Sequence, residues 1–215
     1  MKYLALSLLL IIASAVADED DGAPLVINGC TIAEGSQCPG VDLHGADLSN
    51  QILRKMNLTG ADLHGANLRH AILDLANLEK ANLQDANLTR ASLQQANVRL
   101  ANLSGASLQA VQAWGMFAQG AQLENANLSA AYLQFSRLVG AKMHNVNLQA
   151  ADLEMTFLNK ADLTGANLKD ANLQETKFGE ANLAQADLSG ARHPYANFQD
   201  SNMEGCIACP GGWDK

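Results

Sequence analysis

A five-residue phrase repeats 33 times from Val41 to Gly205 without an insertion or deletion, and this regularity constrains the fold more than any other feature of the chain. Leu occupies 25 of the 33 third positions, Ala occupies 23 of the 33 first positions, and Asn or Asp is common at the second. The clearest copies are ANLEK, ANLQD and ANLTR. Because the spacing never changes, every phrase must occupy an equivalent place in the structure, which is the sequence signature of a solenoid.

An α-helix does not fit this period. At about 100° per residue, five residues advance by about 500°, so successive leucines would spiral around a helix and no apolar face would form. In an extended segment, the first and third residues point to the same side while the second and fourth point outward. The phrase therefore predicts a short extended segment with Ala and Leu inside, followed by a bend at the fifth residue, which is often Gly.

The phrase resembles the A(D/N)LXX consensus of the pentapeptide-repeat proteins, and the resemblance covers residues 41–205 of 215. It implies an all-β fold, a right-handed quadrilateral parallel β-helix with four phrases per turn. At a spacing of about 4.8 Å between stacked strands, about eight turns make a rod roughly 40 Å long. A single turn is not stable alone, so stacking and capped ends are expected to stabilise the rod.

Residues 1–17 are predicted to be a secretory signal peptide, because one Lys and an apolar run precede an Ala15-Val16-Ala17 cleavage site. The mature chain would begin at Asp18 and carry no membrane anchor. Its location would be the periplasm, the thylakoid lumen or the extracellular space. Residues 18–40 are then an acidic leader and N-terminal cap, 41–205 form the repeat domain, and 206–215 form the C-terminal cap.

Export permits disulfides, and the four cysteines allow three pairings. Cys30 and Cys38 precede the rod, whereas Cys206 and Cys209 follow it. Since a disulfide needs Cα atoms within about 7 Å and the implied rod is roughly 40 Å long, we expect one disulfide within each end. The Cys206-x-x-Cys209 spacing also occurs in thiol oxidoreductases, so a redox role is an alternative, although no thioredoxin-like βαβ pattern surrounds it.

The charge of the chain bears on its function class. A formal charge of −8 makes nucleic acid a poor partner. Four acids lie at 18–21, and the repeat carries 16 acids against 12 bases. No nucleophile, base and orienting acid occur together, and no cofactor is implied, so we predict a non-enzymatic exported scaffold that binds a protein partner or itself. The first alternative is an acidic mimic of duplex DNA, like the gyrase-protecting members of the family, which act in the cytoplasm.

Residues twenty apart stack in the implied four-sided coil. Asp42 and His44 would therefore lie beside Asp62 and His64, and imidazoles with carboxylates suit a divalent cation. Two solvated columns are the favoured interpretation, so no metal site is predicted. Columns of Asn are expected to form hydrogen-bonded ladders.

Two segments depart from the repeat. In 111–120, Ala replaces Leu at both third positions, but Val111 and Met116 enlarge the first positions. Core volume is roughly restored, so the coil is predicted to continue. Near the C-terminus, His193 replaces Leu and is followed by Pro194, which predicts a local distortion.

Large side chains cluster at mid-rod on two adjacent sides of the coil. Equivalent columns elsewhere hold mainly Asn, Asp, Gln or Ser, so this cluster indicates a contact surface. Phe117 and Phe157 would flank Arg137, with its guanidinium between the two rings. The opposing interpretation is that the aromatic side chains fold back over the small core of Ala113 and Ala118. The predicted binding residues are Trp114, Phe117, Tyr132, Phe135, Arg137, Met155 and Phe157.

Overall fold

The structure is a computed structural model that describes residues 24–211. The predicted signal peptide, the acidic residues at 18–21 and Trp213 lie outside the described residues. A ladder of parallel bridges joins residues that are twenty apart, from Gln37 and Asn57 at one end to Asp187 and Ile207 at the other. Twenty residues contain four phrases, so the chain returns to the same side after every fourth phrase.

The four phrases of a turn define four faces of the rod, which we number in chain order. Faces 1 to 4 begin with the phrases 41–45, 46–50, 51–55 and 56–60. Each later phrase lies on the face of the phrase twenty residues before it. Backbone hydrogen bonds join the turns: the Leu43 N–H donates to Asp62 O at 2.7 Å, and the Asp62 N–H donates to Val41 O at 2.9 Å.

The named strands lie before the first full turn. Strand β1 (Val26–Ile27) pairs antiparallel with β2 (Cys30–Thr31). Cys30, Ile32 and Cys38 are buried and join the core of the rod. In the repeat, each phrase contributes one residue to a bridge and then bends, so the ladder consists of single bridges.

The first and third positions fill the interior of the rod. Every one of the 25 third-position leucines is at most 2% exposed. The first-position alanines beside them are small enough for the chain to turn closely around the core. The alternation that the sequence predicts, with Ala and Leu inside and the second and fourth residues outside, is therefore observed.

The bend is made at the fifth residue, and it does not require glycine. All 33 fifth positions, 23 of them non-glycine, have a positive φ, between 52° and 75°. This left-handed conformation is normally favoured by Gly and Asn. The repeating hydrogen bonds on both sides of the bend hold the 23 non-glycine residues in this conformation as well.

The coil continues through 111–120, as predicted. Gln112 pairs with Ser92 and Tyr132, and the next phrase is paired in the same way. Val111 and Met116 are buried beside Ala113 and Ala118 in the core. The predicted continuation of the coil is confirmed.

The distortion predicted at His193 is wrong. The Arg192 N–H donates to Ala171 O and the Glu175 N–H donates to Pro194 O, both at 2.9 Å, as in regular phrases. Pro194 stands at a fourth position, whose N–H takes no part in the backbone ladder over residues 24–211. A proline there removes no inter-turn hydrogen bond, so the phrase keeps its register.

Both predicted disulfides are present at the two ends. The Cα atoms of Cys30 and Cys38 are 5.6 Å apart, and those of Cys206 and Cys209 are 5.8 Å apart. Within the described part of the chain, there is no helix that is long and apolar enough to cross a membrane.

Candidate functional site

The predicted binding residues lie on faces 3 and 4 and on the corner between these faces. Trp114 and Tyr132 are on face 3, Phe135 and Met155 are at the corner, and the rest are on face 4. The phrases that carry them occupy three successive turns. We call this surface the aromatic ridge and define it as Trp114, Phe117, Tyr132, Phe135, Arg137, Met155 and Phe157.

The aromatic side chains of the ridge point outward. Trp114, Tyr132, Phe135 and Phe157 are between 40% and 46% exposed. They do not fold back over Ala113 and Ala118, because the neighbouring first-position side chains already fill that part of the core. The ridge therefore presents apolar surface to solvent at mid-rod.

Contacts within the ridge hold its side chains in place. The rings of Trp114 and Phe135 lie 5.9 Å apart between centroids and are tilted by 57°. These residues belong to successive turns, since Phe135 lies one turn beyond Gly115. Such tilted pairs are favourable, so the two rings form one patch.

Phe117 lies against two guanidinium groups. Cζ of Arg137 is 5.4 Å from the centroid of the Phe117 ring, and Cζ of Arg99 is 5.0 Å from it. The sequence predicted that Arg137 would lie between Phe117 and Phe157, but within residues 24–211 the guanidinium of Arg137 contacts the Phe117 ring alone. Nothing in the sequence indicated Arg99. This residue stands at a fourth position in the preceding turn, contacts the same ring and donates to Gln119 Oε1 at 3.0 Å.

The ridge also lies between unpaired charges of opposite sign. Glu154 is on face 3 and Glu175 is at the corner that ends it, whereas Arg137 and Lys177 are on face 4. Within residues 24–211, none of these four side chains forms an ion pair, although five ion pairs form elsewhere. Glu154 thus lies on the face 3 side of the corner, Arg137 and Lys177 lie on the face 4 side, and Glu175 continues the corner column.

The paired histidines on face 1 stack on each other. The rings of His44 and His64 are 5.1 Å apart and nearly parallel, at 12°. Oδ1 of Asp42 accepts the His44 N–H at 3.0 Å, and Oδ1 of Asp62 accepts the His64 N–H at 3.1 Å. The carboxylates therefore stabilise their own turns. Among the described residues, no group of three or more His, Cys, Asp or Glu is arranged to hold a metal ion.

Ladders of polar side chains run along the second positions, as predicted. On face 2, Asn147 donates to Asn127 Oδ1 at 3.2 Å and Asn167 donates to Asn147 Oδ1 at 3.0 Å. Asp187 continues this column. Hydrogen bonds from the hydroxyl and backbone N–H of Ser189, with the nearby Lys169, lower the pKa of Asp187 to about 2.

Comparison with known families agrees with the repeat and the ladder. The family described as pentapeptide repeats matches in eight copies, over residues 42–79, 81–113, 106–145, 141–179 and 166–207. The chain belongs to the pentapeptide-repeat family. Members of this family form right-handed quadrilateral β-helices. A comparison with curated protein sequences finds no match.

Two solved pentapeptide-repeat structures are similar to this chain. One is HetL from the cyanobacterium Nostoc sp. strain PCC 7120, a protein involved in heterocyst differentiation regulation. It is 28% identical, with a TM-score of 0.71, over 83% of this chain and 90% of HetL. The other is a trypsin-treated variant of QnrB1, a plasmid-mediated fluoroquinolone resistance protein. It is 16% identical, with a TM-score of 0.57, over 75% of this chain and 89% of QnrB1, and this likeness shows the fold alone.

Proposed function

We propose that this pentapeptide-repeat protein is an exported, non-enzymatic scaffold that binds a protein through the aromatic ridge. The supporting observation is the clustering of four exposed aromatic side chains on two adjacent faces at mid-rod, whereas most second positions of the repeat hold Asn, Asp or Ser. Aromatic residues beside Arg are typical anchors of protein interfaces. The rings of Trp114 and Phe135 already contact each other in the free rod, so this pair loses little side-chain freedom on binding.

Export is part of the proposal. The sequence of residues 1–17 has the composition of a signal peptide, and both disulfides are compatible with an oxidising compartment. We propose that each disulfide pins a cap over one end of about eight right-handed turns, as part of a lid on the apolar core. The intact mass of the mature protein tests whether it begins at Asp18.

The test of the ridge is a triple substitution, Tyr132→Asn, Phe135→Ser and Phe157→Asn, in the mature chain. These side chains are exposed, so the circular dichroism spectrum is expected to stay unchanged. Capture of proteins from an extract of the exported compartment should be lost. A matched control on face 2 replaces exposed residues at similar heights, Gln109→Ser, Ala130→Ser and Gln149→Ser, and should capture the same proteins as the wild type. Equal capture by both variants would show that the ridge is not the binding site.

A second candidate function is imitation of duplex DNA, and the charge of face 1 favours it. That face carries one base, Lys142, against six acids, which are Asp42, Asp62, Asp85, Glu124, Asp162 and Glu204. An acidic stripe along a rod resembles the phosphates of a duplex in charge. The test is inhibition of DNA gyrase supercoiling by the mature chain, compared with an Asp85→Asn, Glu124→Gln variant. Absence of inhibition by the wild type would eliminate this function.

A further inference from the structure

We propose that the aromatic ridge joins two copies of this chain side by side and in parallel, about a two-fold axis that runs along the rods. The inference rests on the proposed function, because it names the protein that the ridge binds. It follows from the charges on the two sides of the ridge and from the symmetry that a closed dimer requires.

The direction of the two-fold axis decides which faces meet. An axis along the rods keeps both copies at the same height and places face 3 of one copy opposite face 4 of the other. An axis across the rods makes them antiparallel and places face 3 opposite face 3. The parallel arrangement therefore sets Glu154 against Arg137 and Lys177, whereas an antiparallel one centred on Phe135 sets Arg137 against its own counterpart, which is costly at an interface.

The heights of the charged residues agree with the parallel arrangement. Glu154 lies in the same turn as Phe157, so it would face Phe157 of the second copy. Arg137 and Lys177 lie one turn before and one turn after Phe157 in the same column, at about 4.8 Å per turn. Each Glu154 carboxylate would therefore lie between two cations of the second copy.

The apolar residues of the ridge also find partners in this arrangement. Corner residues lie closest to the axis, so Phe135, Met155 and Glu175 would each meet their own counterparts. The charge complementarity therefore rests on Glu154 with Arg137 and Lys177. Trp114 of face 3 would meet Phe117 of the second copy, because both belong to the same turn. Ring pairs of this kind add to the apolar area that is buried.

The shape of the rod gives a reason for the large side chains. Four-sided rods that touch along a corner leave a wedge on each side of the contact, and short Asn or Ser side chains cannot fill it. Trp, Phe, Arg and Glu can span the wedge. The aromatic and charged side chains clustered at mid-rod on faces 3 and 4 would therefore fill the wedges of a corner-to-corner contact.

The test compares two charge-reversed variants of the mature chain by sedimentation velocity. One carries Arg137→Glu and Lys177→Glu, and the other carries Glu154→Lys and Glu175→Lys. We expect the wild type to dimerise and each variant alone to dimerise at least about 100-fold more weakly, because like charges then face each other. An equimolar mixture should form a heterodimer, since acids again oppose bases at both contacts. Its formation would also show that both variants are folded.

The outcomes separate this inference from the proposed function. A wild type that stays monomeric while still capturing a protein through the ridge overturns the dimer and leaves the proposed function standing. A dimer that neither variant weakens, or a mixture that does not associate, overturns the parallel arrangement. A ridge triple variant that both dimerises and captures proteins like the wild type overturns both proposals.

A spin label at Gln95→Cys tests the orientation independently. Gln95 is exposed and lies in the corner column, two turns before Phe135. In the parallel dimer, the two labels lie at the same height, so the measured distance between the label on one copy and the label on the other should be short. In an antiparallel dimer centred on Phe135, they would be displaced by four turns, about 19 Å along the axis. That longer distance would contradict the proposal.

Discussion

Among single residues, three hydroxyls in the core show how a small polar group is accommodated inside the rod. Ser136, Thr156 and Thr176 replace Ala at the first position in successive turns of face 4 and are fully buried. Thr156 Oγ1 donates to Leu133 O at 2.8 Å, and the other two make the equivalent bond. The Leu133 carbonyl also accepts the Ser136 N–H, so the Thr156 hydroxyl uses the second lone pair of that oxygen. Each buried hydroxyl is therefore satisfied, and the turns are joined by one more bond.

Thr156→Val removes this hydrogen bond and keeps the shape of the side chain. The Leu133 carbonyl retains its bond from the Ser136 N–H, so no acceptor is left unsatisfied. We expect a loss of about 0.5–1.5 kcal/mol in the free energy of unfolding, the net value of one such bond. Urea denaturation measures it. An unchanged midpoint would mean that the hydroxyl bond contributes nothing to stability.

The substitution Asp187→Asn tests whether the lowered pKa of Asp187 makes the stability of the protein depend on pH. The pKa of Asp187 is lowered from 3.8 to about 2, so its ionised form stabilises the native state above about pH 4. This contribution is lost as the pH falls towards 2. The wild type should therefore be more stable than Asp187→Asn at pH 5, and the difference in melting temperature should shrink between pH 4 and pH 2.

A matched control for Asp187 is Glu204→Gln, which removes an exposed carboxylate near the same end of the rod. The difference in melting temperature between Glu204→Gln and the wild type should change less between pH 5 and pH 2 than the difference for Asp187→Asn. A difference for Asp187→Asn that stays constant from pH 5 to pH 2 would contradict the role of the Ser189 hydrogen bonds.

At the scale of the phrase, the fifth residue decides which substitutions the coil accepts. All 33 fifth residues are left-handed, and none of them is Val, Ile or Thr. A β-branched side chain is strongly disfavoured at positive φ, whereas unbranched side chains such as Lys80 or Gln95 are tolerated. The absence of β-branched residues was visible in the sequence and could have predicted this conformation.

Gly65→Val isolates the backbone effect. Gly65 has φ of 64°, and a Cβ there would meet no atom within 4 Å, so the substitution creates no clash. The left-handed conformation alone should cost about 1–2 kcal/mol of unfolding free energy. Gly65→Asn is the control, because Asn50 and Asn125 adopt this conformation at other fifth positions. Equal urea midpoints for the two variants would contradict this explanation.

At the scale of the whole molecule, the two ends of the rod differ. At the N-terminal end, the β1–β2 hairpin and the buried Cys30–Cys38 disulfide adjoin the first turn. At the other end, Cys206, Cys209 and Met203 are only partly buried. Each turn is stabilised by its neighbours, so the better-covered end should open last.

Cys30→Ser with Cys38→Ser should therefore cost more stability than Cys206→Ser with Cys209→Ser. The first pair closes a loop with a separation of eight residues, for which chain entropy gives about 2–3 kcal/mol, and the second has a separation of only three. Urea denaturation and amide hydrogen exchange measure the two losses. A greater loss of stability from the Cys206→Ser, Cys209→Ser variant would contradict the prediction that the N-terminal end is the more stable one. Disulfide reductase activity that is lost with Cys209→Ser would instead favour the redox alternative.

The sequence by itself determined the parts of this protein that repeat. The uniform spacing required an equivalent environment for every phrase, and alternation required Ala and Leu inside. The same reasoning predicted that 111–120 remains in the coil, because the volumes of Val111 and Met116 are visible without a structure. Disulfide pairing followed once the family resemblance supplied a rod length.

Only the tertiary structure decided which atoms of neighbouring turns meet. Stacking places residues twenty apart side by side, but rotamers decide whether Arg137 contacts Phe117 or Phe157, and Arg99 reaches the same ring from a different column. The regular phrase around Pro194 likewise depends on which N–H groups the ladder leaves unused. Burial is set by a local, repeated pattern that the sequence carries, whereas polar and aromatic contacts depend on distances between turns that only the folded coil establishes.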